Sequence, residues 1–264
     1  YCEEYHRKLE HHLEAHGEEL SEERREELEE KRDHYGWEAR RLTPLIKYLA
    51  GERAVQMSRM AIQIHGGAGY TKEYEPEKLL RDATVMPIYE GTSQIQALMA
   101  TKDRLAKILE APQEFLSDLA RARWESLTSS DPLKQKLAQV RLSSLRAQRY
   151  LISKTAVDKV AEVTQKPIEE WPSELRDGWD PDSDFAHALL HAERLIKLLV
   201  DEAVCELLYE QATEYPDRRD VFERYVERAI PRCEYYVNEI TSTGERLLEE
   251  LHVGGDDSTP AAAE

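Results

Sequence analysis

The sequence predicts an all-α protein: a helical bundle followed by an additional helical extension. Only three of its 264 residues are Phe, and β-branched content is modest. Glu, Leu, Arg and Ala fill long runs, the composition of helices rather than strands. Within those runs the apolar residues recur at i, i+3 and i+4.

Residues 1–16 read as one charged helix closed by Gly17. Ser21 is placed to cap a second, running to about residue 42. Both are so polar that they are expected to pair as an exposed hairpin, with Glu and Arg one turn apart supporting each other. Thr43-Pro44 is expected to open a third helix, with Ile46, Ala50, Ala54, Met57, Ala61 and Ile64 as its buried stripe. It ends at Gly66-Gly67. Pro76 starts a short helix to about Ala83. From Thr92 another helix turns Ile95, Leu98, Leu105 and Ile108 inward, and Pro112 marks its end. Ser130-Asp131-Pro132 caps a long helix to about residue 165. A Pro/Trp/Asp-rich connector follows, then helices at about 184–214 and 218–252. The seam of the first is Leu189, Ala192, Leu195, Leu199 and Ala203. Three segments result: 1–111, a bundle portion with the charged hairpin at 1–42; 112–253, a helical extension; and 254–264, a disordered tail.

The formal net charge is −17, which repels nucleic-acid backbones and anionic membranes. No run of about 18 uncharged apolar residues is present, so no membrane span is predicted. Cys2, Cys205 and Cys233 have neither metal-site nor disulfide-framework spacing, which favours a reducing compartment, the cytoplasm. The chain begins at Tyr1 in helical sequence, and is expected to be the C-terminal piece of something longer.

Three stretches could carry chemistry. In "EEYHRKLEHHLEAH", Glu3 and His6 have the E-x-x-H spacing of carboxylate-bridged di-iron bundles. No second copy appears and the helix is polar all round, so a solvated surface is the better reading and no metal is expected. In "QIHGGAGY" (63–70) the glycines either end a helix or let a diphosphate approach the backbone, with Gln63 as a neutral hydrogen-bonding amide. In "LLRDATVMPIYEGTSQIQ" (79–96), Arg81 and Asp82 are expected to tie the loop to the bundle through separate partners. Glu90 stands at a turn that Gly91 makes possible and Thr92 can cap. A carboxylate there is either an ordinary acidic residue near a helix start or a general base strengthened when a ligand expels water.

Taken in this order and spacing, the last two stretches resemble the C-terminal helical domain of the acyl-CoA dehydrogenases, flavoproteins that desaturate acyl-CoA thioesters. The resemblance covers about residues 43–109 and rests on "QIHGGAGYTKEYEPEKLLRDATVMPIYEGTSQIQ". Residues from 112 on look like the extension of the large members similar to 3-methylmercaptopropionyl-CoA dehydrogenase. The charged hairpin before Thr43 looks like an insertion relative to the smaller members.

The resemblance implies that Glu90 is the base that removes the α-proton of the thioester while a hydride leaves the β-carbon for FAD. Its own N–H would hydrogen-bond the thioester carbonyl. Tyr89 and Gly91 would flank it in the substrate pocket. Thr92 and Gln94 match positions that contact FAD of the same subunit. Gln63, Gly66 and Gly67 match the segment that reaches FAD of a neighbouring one, implying a homodimer or homotetramer. An electron-transfer flavoprotein would accept the electrons. The family's N-terminal helical and middle β-domains are missing from these residues, so the piece alone is expected to be inactive. Alternatives are an acyl-CoA oxidase, reducing O2 directly, and a non-catalytic helical scaffold of the same superfamily. A nucleic-acid-binding member is disfavoured by the charge.

Overall fold

A computed structural model describes residues 2–16, 20–163 and 185–254. The connector and the tail beyond Gly254 lie outside the described residues. The described residues are helices joined by turns, and they divide into two units, residues 1–96 and 97–264.

The first unit begins with α1 (Cys2–His16) and α2 (Glu22–His65), packed as a hairpin. α1 has no buried residue. It is held by the Tyr5 and Tyr35 rings, 5.1 Å between centroids, and by the His6 ring Nδ1 and the Arg32 carbonyl, 2.9 Å apart. Exposed pairs one turn apart, such as Lys8–Glu4 and Lys31–Glu27, both at 2.6 Å, line the solvent sides. A 3-10 turn (Gly66–Tyr70), α3 (Pro76–Ala83) and the first turn of α4 (Ser93–Glu110) complete the unit.

Three expectations fail here. Thr43-Pro44 does not separate two helices; α2 runs through it for 44 residues. An interior proline removes one amide and crowds the preceding turn, costing about 3 kcal/mol. The helix continues because Pro44, Leu45 and Tyr48 are all buried, while Thr43 Oγ1 donates to the Ala39 carbonyl at 2.7 Å. The stripe expected to be buried is open: Ile46, Met57 and Ile64 are 62%, 67% and 81% exposed. Its helical spacing is real, and of its smaller members Ala54 and Ala61 are half-buried. Ile95, expected to face inward, is exposed too.

The second unit holds the rest of α4, then α5 (Pro112–Thr128), α6 (Pro132–Val163), α7 (Ala186–Leu190), α8 (Ala192–Glu214), α9 (Arg219–Ser242) and α10 (Glu245–Gly254). Pro112 therefore opens a helix as well as following one. Asp131 caps α6, its Oδ1 accepting the Leu133 N–H at 2.9 Å. α6, α8 and α9 pack against one another around Leu151, Leu195, Leu199, Phe222, Val226 and Ile240, with α5 lying on α6. Buried Asp201 on α8 binds α9: it accepts from Tyr225 Oη and Arg232 Nε, both at 2.8 Å. Cys205 and Cys233 are buried free thiols. Burial pushes Cys205 up to about 12 and raises Cys233 as well.

The two long helices expected at 184–214 and 218–252 are each broken. His191 interrupts the first and Thr243-Gly244 the second, and the breaks meet. The buried His191 ring lies 3.1 Å through Nε2 from the Thr243 carbonyl. Gly244 has φ 100°, and a Cβ there would fall 2.9 Å from the same nitrogen.

Candidate functional site

Glu90 lies in the segment between α3 and α4, and its backbone is unusual. It has φ 51°, and it is the one non-glycine residue with positive φ among the described residues. Gly91 follows at φ 90°. A left-handed conformation in a side chain of this kind is uncommon and persists where neighbours enforce it. Here they do so from both sides. The Ile88 and Tyr89 N–H groups donate to the Val85 carbonyl at 3.0 and 3.2 Å, and Ser93 N–H donates to Pro87 at 2.9 Å. Gln96, buried on the first turn of α4, sends its side-chain amide back to the Glu90 carbonyl at 3.3 Å and to the Gly91 carbonyl at 3.5 Å. Among the described residues, the N–H groups of Glu90, Gly91 and Thr92 meet no backbone acceptor. The Glu90 side chain is exposed.

Thr92 caps α4 as its sequence position suggests: its Oγ1 accepts the Ile95 N–H at 3.2 Å. α4 therefore starts at Ser93, a few residues after Glu90, with the partial positive charge of a helix N-terminus. Tyr89 is 41% exposed, with its ring under the Lys47 ammonium at 3.8 Å from the centroid.

α2 braces this segment through three residues that the sequence reading did not single out. Lys47 Nζ donates to the Met86 carbonyl at 2.5 Å. Gly51 lets the segment lie against the helix: a Cβ there would sit 3.2 Å from the Met86 carbonyl oxygen and 3.3 Å from Pro87 Cα. Ser93 Oγ donates to Glu52 Oε1 at 2.6 Å. A glycine inside a helical pattern was the available signal, since it weakens a helix unless another backbone comes close. Arg81 and Asp82 do not supply this tie. Arg81 pairs with Glu77 on its own helix at 3.2 Å, and Asp82 is exposed.

The double-glycine segment begins where α2 ends. Gly66 has φ 59° and ψ −141°, and its N–H bonds to the Gln63 carbonyl. The three nearby glycines have different reasons to be glycine. Gly66 is required by its conformation. Gly69 is required by packing, because a Cβ would lie 2.8 Å from both the Ile62 carbonyl oxygen and His65 Cβ. A Cβ at Gly67 would enter open space, and its φ is not positive. Gln63 and Gln94 are exposed. An open backbone at Gly66-Gly67, an exposed amide at Gln63 and the α4 start with Gln94 fit the demands of an anionic dinucleotide: hydrogen-bond donors and close approach without side-chain bulk.

The remaining sequence candidate for chemistry has other engagements. Glu3 pairs with Arg7 at 3.7 Å, while the His6 ring meets the Arg32 carbonyl.

Comparison with known proteins gives a consistent result. Residues 19–104 match the family described as acyl-CoA dehydrogenase, C-terminal domain. The match begins at residue 19 and so takes in the first half of α2. A 3-(aryl)acrylate reductase of Clostridium sporogenes is 44% identical over 70 residues, 26% of this chain and 19% of the relative. The 3-methylmercaptopropionyl-CoA dehydrogenase of Ruegeria pomeroyi is 48% identical over 56 residues, 21% of this chain and 10% of the relative. Subunit CarC of the caffeyl-CoA reductase–Etf complex of Acetobacterium woodii is 44% identical over 63 residues, 24% of this chain and 16% of the relative. The chain thus spans less than a fifth of the length of these relatives in the aligned regions. In fold, an acyl-CoA dehydrogenase complexed with FAD from Bacillus anthracis is similar at TM-score 0.58 and 18% identity, over 95% of this chain and 41% of that one. Residues 19–104 thus match the C-terminal domain of the acyl-CoA dehydrogenases, and the rest of the chain lies outside that match.

Proposed function

We propose that this chain is the C-terminal part of an FAD-dependent acyl-CoA dehydrogenase, with Glu90 as its catalytic base. The observation that carries the reading is the left-handed turn at Glu90-Gly91, held from α2 and α4, with the Glu90 N–H unclaimed by any backbone acceptor among the described residues. A turn of this shape presents a carboxylate and a peptide N–H from one residue. The carboxylate can take the α-proton of an acyl thioester. The N–H can hydrogen-bond the thioester carbonyl, on which negative charge grows as that proton leaves. A fixed donor at such an oxygen is worth about 3–4 kcal/mol of barrier. FAD, when bound, supplies the acceptor for the hydride that leaves the β-carbon.

Thr92 and Gln94 at the start of α4 hold the flavin nucleotide of the same subunit. Gln63, Gly66 and Gly67 reach the FAD of a neighbouring copy in a homodimer or homotetramer. Gly67 supports this reading, since neither conformation nor internal packing asks for glycine there. Tyr89, already fixed by Lys47, borders the thioester pocket beside Gly91. Electron-transfer flavoprotein is the proposed electron partner, and one relative is itself a subunit of an Etf complex.

The test uses the full-length polypeptide carrying FAD. Acyl-CoA added without air should bleach the flavin of the wild type, and Glu90→Gln should leave it coloured. Bleaching at the wild-type rate in Glu90→Gln would remove the base assignment. Two relatives carry reductase names, which favours a second reading of direction only: the same carboxyl group, protonated, would deliver a proton to the α-carbon of an enoyl thioester. Dithionite-reduced enzyme reoxidised by an enoyl-CoA would identify that direction.

A further inference from the structure

Lys47, Gly51 and Glu52 lie within little more than one turn of α2, and all three meet the segment that carries Glu90. Gly51 gives the segment room, and Glu52 anchors it at Ser93 beyond the turn. Lys47 acts before the turn and does two things with one ammonium group. It takes a hydrogen bond to the Met86 carbonyl, 2.5 Å away, and it sits over the Tyr89 ring, 3.8 Å from the centroid. The carbonyl four residues before Glu90 and the side chain immediately before it are therefore both referred to one point on a long helix.

We propose that Lys47 is a positioning residue for the reaction: it fixes Met86 and Tyr89 and so aims the carboxylate and the N–H of Glu90. The proposal rests on the reading of Glu90 as the base. An ordinary surface lysine extends into water and keeps its rotamer freedom. This one is half-buried and ordered by two partners of different chemistry, a carbonyl and an aromatic face. A cation over a ring and a hydrogen bond to a carbonyl are both directional, so together they set the height and rotation of the segment. The left-handed backbone at Glu90 is the part of the chain least able to hold its shape unaided. Lys47 holds it from the N-terminal side, as Gln96 does from the C-terminal side. Small displacements of a general base are expensive in rate, so the contribution falls on catalysis rather than on global stability.

The experiment compares wild type, Lys47→Met, Lys47→Arg and Glu90→Gln in the full-length FAD-containing polypeptide. Three quantities are read: anaerobic flavin bleaching by whichever of butyryl-, octanoyl- and palmitoyl-CoA is fastest on wild type, the melting temperature, and hydrogen exchange at the Tyr89 and Ser93 amides. Lys47→Met keeps the shape of the arm without charge or donor. It should bleach about 10- to 100-fold more slowly, with FAD content and melting temperature unchanged and both amides exchanging faster. Lys47→Arg should recover most of the rate and the protection. Wild-type bleaching and exchange in Lys47→Met, alongside an inactive Glu90→Gln, would overturn the positioning role and leave the base assignment standing. Equal losses of rate and melting temperature in Lys47→Met and Lys47→Arg would make Lys47 a packing residue and overturn it as well. Wild-type bleaching in Glu90→Gln would remove the base assignment and this proposal with it.

Discussion

Gln96 reaches back from the first turn of α4 to the backbone carbonyls of Glu90 and Gly91. The contact also accounts for the glycine: a Cβ on Gly91 would lie 2.5 Å from Gln96 Nε2. Gly91→Ala should therefore displace the Gln96 amide in addition to straining a backbone at φ 90°. Together these should cost about 1–3 kcal/mol locally. Faster hydrogen exchange at Ser93, with a fall in flavin bleaching rate, is the expected readout, and Gln96→Leu should produce the same exchange change without the strain.

Glu90 holds a conformation suited to glycine, so its side chain is kept at some expense to stability. Glu90→Gly removes that strain, worth on the order of 1 kcal/mol, although glycine returns part of it as freedom in the unfolded chain. The variant should melt at or slightly above the wild-type temperature while failing to bleach flavin with acyl-CoA. Clear destabilisation by Glu90→Gly would show that the side chain contributes packing instead.

The glycines at 67 and 69 should separate binding from folding. Gly69→Ala forces a Cβ into the Ile62 carbonyl and His65 and should destabilise the protein by about 1–3 kcal/mol. Gly67→Ala meets open space and should leave the melting temperature alone. Its effect should be on FAD retention in the assembled full-length protein, measured by flavin release on dilution.

His191 predicts an acid limit to the second unit. Burial, then the neighbouring His187 on α7, holds its pKa down to about 4; the Thr243 carbonyl bond and Glu239 on α9 oppose the shift and Arg194 on α8 adds to it. The Tyr150 ring from α6 lies against His187. A folded-state pKa below that of the unfolded chain means the unfolded state binds the proton first as pH falls. Stability is thus full above pH 6.5 and is lost progressively down to about 4. The loss is on the order of 3 kcal/mol. Hydrogen exchange of α8 amides at pH 7.5 and 5 should show faster opening at pH 5, and His191→Gln should flatten that dependence.

Helix starts and stops were legible in local sequence because capping is local chemistry. The Asp131 cap, the α3 start at Pro76 and the α2 end at Gly66 all follow from one or two residues. The Glu90 turn was legible as well, since a glycine beside a helix-capping threonine signals a sharp change of direction. Three features were not. Pro44 sits in a continuous helix because burial around it outweighs the break it would make in isolation. The breaks at His191 and Gly244 meet across more than fifty positions; the glycine was a local sign of the second, whereas nothing beside His191 marked the first. Ile46, Met57 and Ile64 have core spacing but are exposed, because periodicity shows which face is apolar and says nothing of what covers it.

By itself, the order of residues determined an all-helical chain, the absence of a disulfide framework, and a Glu-Gly-Thr turn in the register of one enzyme family. Such features arise from composition, from neighbours a turn apart, and from short motifs. Tertiary structure alone decided that Glu90 is left-handed, that Lys47 and Gln96 hold it from either side, and that Gly51 makes room for the segment between them. The Lys47 and Gly51 contacts join α2 and the turn across about forty positions of chain, and close approach over such a span is set by packing rather than by any local preference of the backbone.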